Sequence, residues 1–420
     1  MTDPSEPPGP PGPPPAPPPA HPRTALVLGL GLLVAGLAFN QWILGAWLSR
    51  DGSFQSPAVR GAIALVQLVL IATGVLLIRR RHAIRFDRSH LVLLAVTTVI
   101  TLVGAELLIR PLGYGPYRPR DAGIRVEPGG RFFARDSVLG YVHLPGRFRV
   151  TLPDGYVFHA THLPNTLRIT HPLDTYGIGD PKPGIWIFGG SFTYGWSLND
   201  EQTFPWRLQE DLPAREVVNF GVNGYGTLHA LLQLRSALDR GGPPPRVAIL
   251  AYAAFHDERN TFSRVRRRAV RSWSRLGPLV QPYARLEPDG SLSYHMATST
   301  YRELPLQRYS ALVHLFAVRY DRMEYARHRS HEVSKTIVRE FVDLARHHQV
   351  VPVVAAIAPA GDMLDYARSL GARTVDIAVP LEGAWTNRPH DNHPSALADS
   401  VYAVRLDAFL RDSVPDEWRD

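Results

Sequence analysis

Three apolar runs within the first 110 residues constrain this chain more than any other feature. Ala25 to Leu48 is apolar apart from Asn40 and Gln41, and Gly61 to Ile78 and Leu91 to Ile109 follow after short polar loops. A helix rises 1.5 Å per residue, so runs of this length cross a bilayer core about 30 Å thick. They read as three transmembrane helices over residues 24–110, a multi-pass anchor whose first partner is the lipid bilayer. A cleaved signal peptide fits the first run poorly, because the run is long, lacks a short basic leader and is followed by two more. Buried helices of a soluble domain fit no better, given the short polar loops between the runs.

The loops give an orientation. Arg79, Arg80, Arg81, Arg85 and Arg88 lie between the second and third runs, against Arg50 and Arg60 between the first and second. Basic residues beside spans stay on the cytoplasmic side. The N-terminus is therefore expected in the cytoplasm, and everything after Ile109 on the periplasmic or extracellular side of the cell membrane. Glu106 reads as interfacial, with no role assigned. Residues 1–23 are dominated by proline and cannot bury a core, so they read as a disordered tail. The chain has no cysteine, which removes disulfides and thiolate chemistry. Its formal net charge of +8 is concentrated in the second loop and in residues 256–275. The remainder is close to neutral, and no nucleic-acid partner is implied.

Residues 111–183 form a lead-in rich in Gly and Pro with short alternating runs such as Arg147 to Leu152, read as β-rich. From Gly184 strands and helices alternate. Strands are expected at Ile185–Phe188, Glu216–Phe220, Val247–Tyr252 and Val350–Ile357, and helices at Phe204–Leu212, Leu228–Leu238, His331–His347 and Ala396–Leu410. This predicts a mostly parallel sheet with helices on both faces over residues 184–420, interrupted by an insertion at about 256–330. Ligands of such sheets bind beyond the carboxyl ends of the strands.

Candidate chemistry sits at those ends. Gly189-Gly190-Ser191-Phe192-Thr193-Tyr194-Gly195 follows the first strand, and a serine on such a turn has its hydroxyl at the functional edge beside backbone N–H groups. Asn219-Phe220-Gly221-Val222-Asn223-Gly224-Tyr225-Gly226 follows the second, where glycines let a backbone amide approach a ligand. His390-Asp391-Asn392-His393-Pro394-Ser395 precedes the last helix. In an extended loop Asp391 and His393 would face one site, the carboxylate orienting the imidazole that activates Ser191.

In these blocks the segment from about Gly184 resembles the SGNH or GDSL hydrolase superfamily. Gly190-Ser191-Phe192-Thr193-Tyr194-Gly195 is similar to its first block, with Gly190 where many members have Asp. Gly224 falls on the glycine of its second block, and Asp391 and His393 on its last. The resemblance implies a flavodoxin-like α/β/α sandwich, a catalytic Ser191–His393–Asp391 set, and an oxyanion hole built from Ser191, Gly224 and the residue at position 256. That residue is His256, where the family usually has Asn. An imidazole N–H can donate the same bond; otherwise His256 is a surface residue and the hole rests on the two amides. Asp-x-His spacing resembles the branch with polysaccharide O-acetyltransferases. The implied activity is an esterase or O-acyltransferase acting on acyl, chiefly acetyl, esters of a cell-envelope glycan or lipid, with no cofactor. A transferase would need a separate acyl-donor membrane protein.

Other readings stay beside this one. An envelope-assembly protein could keep the fold to bind glycan without catalysis. A metal site at His390, Asp391, His393 and His256 would leave the serine turn unexplained. The arginines from Arg264 to Arg275 suggest either an anion-attracting patch or a solvated insertion helix. Trp186, Trp196 and Trp206 suggest sugar-stacking faces or core, and His347-His348 a helix cap.

Overall fold

The computed structural model describes residues 22–49, 52–54, 56–83, 88–119, 123–177, 182, 184–277 and 280–414. The proline-rich tail up to His21, and Arg50 and Arg85 of the membrane loops, lie outside them. The chain divides into two units, residues up to Pro116 with Tyr309–Leu312, and Tyr117–Arg308 with Val313 onward.

In the first unit Pro57–Arg79 and Leu91–Ile109 are long and apolar enough to cross a membrane. The run expected as the first span is instead a bent pair, Pro22–Ala38 and Gln41–Leu48, at 55° to one another, and makes a third crossing only if the pair counts as one. The break has a local cause. The Asn40 side chain accepts the N–H groups of Trp42 and Ile43 at 2.9 Å each and so starts a new helix there. Glycines let the first and third helices touch: a Cβ on Gly74 would stand 2.7 Å from the carbonyl oxygen of Gly29. Glu106 does have a partner set, accepting from the N–H groups of Ala311 (2.8 Å) and Leu312 (3.0 Å) and the hydroxyl of Ser310 (2.9 Å).

The second unit is built on a five-stranded sheet of β1 (Gly184–Phe188), β2 (Glu216–Asn219), β3 (Val247–Tyr252), β4 (Val351–Ala356) and β5 (Arg373–Asp376). All pairs are parallel and the spatial order is β2-β1-β3-β4-β5. This is the doubly wound order whose switch point lies between β1 and β3, and helices cover both faces. One face packs Phe188, Leu250 and Val354 under α3 (Thr227–Asp239), α4 (Ser330–His347) and α5 (Met363–Ser369). The other packs Ile187, Ile249 and Ala355 under α2 (Phe204–Asp211) and α6 (Ala396–Ser413). Each of these Phe, Leu, Ile and Val side chains contributes on the order of 1.5–3 kcal/mol by burial. The fifth strand and α5 were not anticipated, because Arg-Thr-Val-Asp is a half-exposed edge strand without an apolar run.

The lead-in is an antiparallel sheet of Arg125–Glu127, Gly146–Thr151 and Val157–His162, with a hairpin of Phe133–Asp136 and Gly140–His143. Arg168 bridges His162 on one side and Asn219 on the other, so the lead-in covers the open edge of β2. In the insertion, Arg264, Arg266 and Arg267 are buried. Arg264 and Arg268 pair with Asp321 at 3.1 and 2.6 Å, and Arg267 lies 3.6 Å from Glu324. The arginine-rich stretch is thus neither a solvated helix nor a free anion-attracting patch.

Asp399, fully buried in the first turn of α6, accepts the N–H of Phe204 at 2.9 Å and joins the two helices of one face. Burial pushes its carboxyl up to about 8 against the pull of that bond and of Arg168 and Arg207. The folded chain then holds a proton that the unfolded chain releases above the ordinary carboxylate range, so this group's contribution to stability falls as pH rises through the window up to about 8. Asp399→Asn keeps the acceptor without the titration. Its urea midpoint, followed by tryptophan fluorescence, is expected to decline less than that of the parent between pH 5 and 8; parallel declines would sink this assignment.

Candidate active site

Ser191 is the first residue of α1 (Ser191–Tyr194), which begins two residues after β1. The turn between them leaves no room for side chains. A Cβ on Gly189 would stand 2.1 Å from Thr193 Oγ1, and one on Gly190 would stand 2.6 Å from Arg259 Nη1 and 2.8 Å from the Tyr225 carbonyl oxygen. The second block passes directly over α1, where a Cβ on Gly221 would meet the Tyr194 backbone nitrogen at 2.4 Å. Glycine at 189, 190 and 221 is therefore a condition of bringing the two strand ends together.

The end of α1 is held from the lead-in. The Arg168 guanidinium donates to Asp200 Oδ1 (2.8 Å) and to the carbonyls of Tyr194 (2.9 Å), Gly195 (2.7 Å), Leu198 (2.7 Å) and His159 (3.1 Å). The sequence marks Arg168 with nothing, since all but one of its partners lie 26 to 32 residues away and a lone arginine carries no motif.

His393 faces Ser191, with Nε2 2.9 Å from Oγ. Its Nδ1 lies 2.6 Å from Asp391 Oδ1, which also accepts the His393 backbone N–H. The loop is thus not extended: the carboxylate closes a turn over its own backbone two residues on and clasps the imidazole in the same act. Asp391 Oδ2 accepts from Trp196 Nε1 at 3.0 Å. Burial works to raise the Asp391 carboxyl, but the bonds from the His393 ring, the His393 backbone and Trp196 outweigh it and hold the group below its ordinary value. It is ionised and fixes the ring. Trp196, 7% exposed, is a core residue whose indole N–H serves the site.

Three consecutive carbonyls of the second block are clamped. Tyr141 Oη donates to the Asn223 oxygen, Arg266 Nη2 to that of Gly224 and Arg259 Nη1 to that of Tyr225, each at 2.7 Å. Across a trans peptide the N–H points opposite the carbonyl. The Gly224 N–H therefore faces away from Tyr141, at a residue whose φ of +86° suits glycine. The Ser191 N–H opens a helix and has no acceptor within it.

His256 is not a surface residue. It is 2% exposed, and its Nε2 lies 3.3 Å from where a Cβ on Gly190 would be. Burial, then the charges of Arg259 and Arg266 and the nearby His229, push its pKa well below the ordinary imidazole value, so the ring is neutral. Its Nδ1 is enclosed without a partner. Asn223, also buried, has both amide atoms enclosed without a partner. Asn223, Ser191, Asp391 and His393 border one cavity of about 370 Å³. His390 is turned toward the lead-in, stacked on Tyr156 at 4.3 Å with Nδ1 2.6 Å from Asp154 Oδ2. Among the described residues no three His, Asp or Glu side chains converge to hold a metal ion.

No family profile matches the chain, and no curated protein is similar to it. Several solved structures are. A lipolytic protein of the G-D-S-L family from Desulfitobacterium hafniense DCB-2 superposes with a TM-score of 0.30 and 13% identity over 54% of this chain and 99% of its own. The psychrotrophic esterase EstA from Pseudoalteromonas sp. gives 0.33 and 10% over 55% and 97%. AlinE4, an SGNH-hydrolase family esterase, gives 0.28 and 14% over 57% and 100%.

The crowding at Gly190 makes a prediction. Gly190→Ala is expected to cost about 1–3 kcal/mol by overpacking against the Tyr225 carbonyl, and Gly190→Asp, the residue common in the resembled family, at least as much. Thermal unfolding of the full chain checks this, and a Gly190→Asp protein as stable as the parent would refute it.

Proposed function

We propose that this chain is a membrane-anchored serine ester hydrolase or O-acyltransferase of the SGNH type, acting on acyl esters of a cell-envelope glycan or lipid. The observation that carries the reading is the continuous relay of Asp391 to His393 to Ser191, at 2.6 and 2.9 Å, on a parallel-sheet edge. Serine oxygen attacks the ester carbonyl while its proton passes to His393 Nε2, and Asp391 stabilises the imidazolium that results. Negative charge gathers on the former carbonyl oxygen, where the N–H groups of Ser191 and Gly224 are the backbone donors. The C–O bond to the alcohol then breaks, His393 returns the proton to the leaving oxygen, and an acyl-serine remains. Water or an acceptor hydroxyl attacks it by the reverse sequence, which is the sole difference between hydrolysis and transfer. A neutral imidazole at 256 fits a third donor, since only an uncharged ring can polarise a carbonyl without competing as an acid. Basic residues in the second loop support a cytoplasmic N-terminus and a site on the outer face.

The test is covalent labelling of the full chain in lipid nanodiscs with an ethyl fluorophosphonate. Serine oxygen displaces fluoride at phosphorus, so no substrate need be known. Labelling is expected at Ser191, absent in Ser191→Ala and at least a hundredfold slower in His393→Ala; a folded, unlabelled parent protein would overturn the reading in favour of a glycan-binding assembly role. Asp391→Asn is expected to lose about 10⁴ in kcat by leaving the ring in the wrong tautomer. For the side-chain donor, His256→Ala is expected to lose about 10²-fold or more in kcat with KM nearly unchanged. Loss confined to Asn223→Ala would move that role to the unpartnered Asn223 amide.

A further inference from the structure

The resemblance points to acetyl, but the cavity beside Ser191 is built for something larger. Its volume of about 370 Å³ falls within the range of small-molecule sites. At roughly 30 Å³ per water-sized heavy atom it has room for on the order of a dozen such atoms. An acetyl group contributes three. The walls are Ile124, Phe133 and Leu152 from the lead-in, Trp273 and Leu276 from the insertion, and Trp196. Beyond Ser191, His393 and Asp391, only Asn223, Ser272 and His390 bring polar side chains to it, and among the described residues no Lys or Arg borders it. Asn223, Ser272 and His390 could meet some hydroxyls of a sugar ring, but those turned to the Ile124, Phe133, Leu152 and Leu276 walls would find no partner, at a cost that an alkyl chain avoids.

We propose that this cavity is the acyl-chain site, and that the preferred ester carries a linear acyl group of roughly six to ten carbons, the chain lying between the lead-in and the insertion while the polar alcohol half remains outside. This rests on Ser191 being the nucleophile. Ser191 borders the cavity, so an ester whose carbonyl carbon meets its Oγ places one of its two halves there, and the apolar walls favour an alkyl acyl chain over a hydroxyl-bearing alcohol half. Apolar burial strengthens binding by about three- to fourfold per methylene, and that gain persists only while added carbons find wall to cover.

The experiment is hydrolysis of 4-methylumbelliferyl esters from acetate to dodecanoate by the full chain in nanodiscs, with the alcohol constant. The expected result is a kcat/KM that climbs about three- to fourfold per added methylene and levels near eight carbons. Ile124→Trp, which fills the lead-in wall, is expected to move the optimum to shorter chains and lower the octanoate-to-acetate ratio at least tenfold. Acetate as the best ester, or a flat profile, in a protein still labelled at Ser191 by the ethyl fluorophosphonate would overturn the acyl-site assignment alone. An unchanged ratio in a folded, labelled Ile124→Trp protein would overturn it as well. Absence of both labelling and hydrolysis would instead bring down the serine reading, and this inference with it.

Discussion

The Arg168 guanidinium is the interaction on which the rest of the second unit depends. It is 1% exposed, and its ion pair among the described residues is with Asp200, so taking its charge from water is costly. What offsets that cost is complete use of its donors: all five N–H groups of a guanidinium find acceptors, one on the carboxylate and four on carbonyls. Three of those carbonyls, on Tyr194, Gly195 and Leu198, belong to the turn that leaves Ser191, and the fourth, on His159, belongs to the lead-in. A planar fork with donors in fixed directions sets position as well as energy. The nucleophile's turn and the β-rich segment before it are thereby one structure.

Much of the sheet was legible because its central strands are buried on both faces and read as unbroken apolar runs; Val247–Tyr252 is the clearest case. Ser191, Asp391 and His393 were legible because glycines around a serine after a strand, and an acid two residues from a histidine before a helix, have few other uses together. The manner of their meeting was not, since the turn that Asp391 closes on the His393 backbone is a three-dimensional fact. Edge strand β5 was invisible for lack of burial. Tyr141 and Arg168 were missed for a different reason, since each serves the site through atoms that chain distance conceals and nothing in their immediate neighbours marks them; Trp196 was read as core or a sugar face, and its bond to Asp391, 195 residues away, was not legible.

Positions 190 and 256 are physically connected. In the resembled family an acid precedes the serine and an asparagine faces the oxyanion, whereas here the space that an acid at 190 would fill is taken by Arg259, the Tyr225 carbonyl and the His256 ring. The absent side chain at 190 and the imidazole at 256 are two sides of one packing solution. The cation beside the ring then has an electrostatic result as well, because a positive neighbour and burial both keep the imidazole uncharged.

The lead-in also holds both the turn of Ser191 and part of the cavity wall beside it. Tyr141 fixes the peptide that aims the Gly224 N–H, and Arg168 fixes the turn of Ser191, while Phe133 and Leu152 from the same segment face the space beside that serine. In most folds of this kind loops vary and the scaffold stays, so that substrate range drifts without harm to chemistry. Here a change of wall is also a pull on the Gly224 peptide. Under the proposed activity, selection on what this protein accepts is therefore bound to selection on how fast it works, and a relative that has changed one is expected to have re-tuned the other.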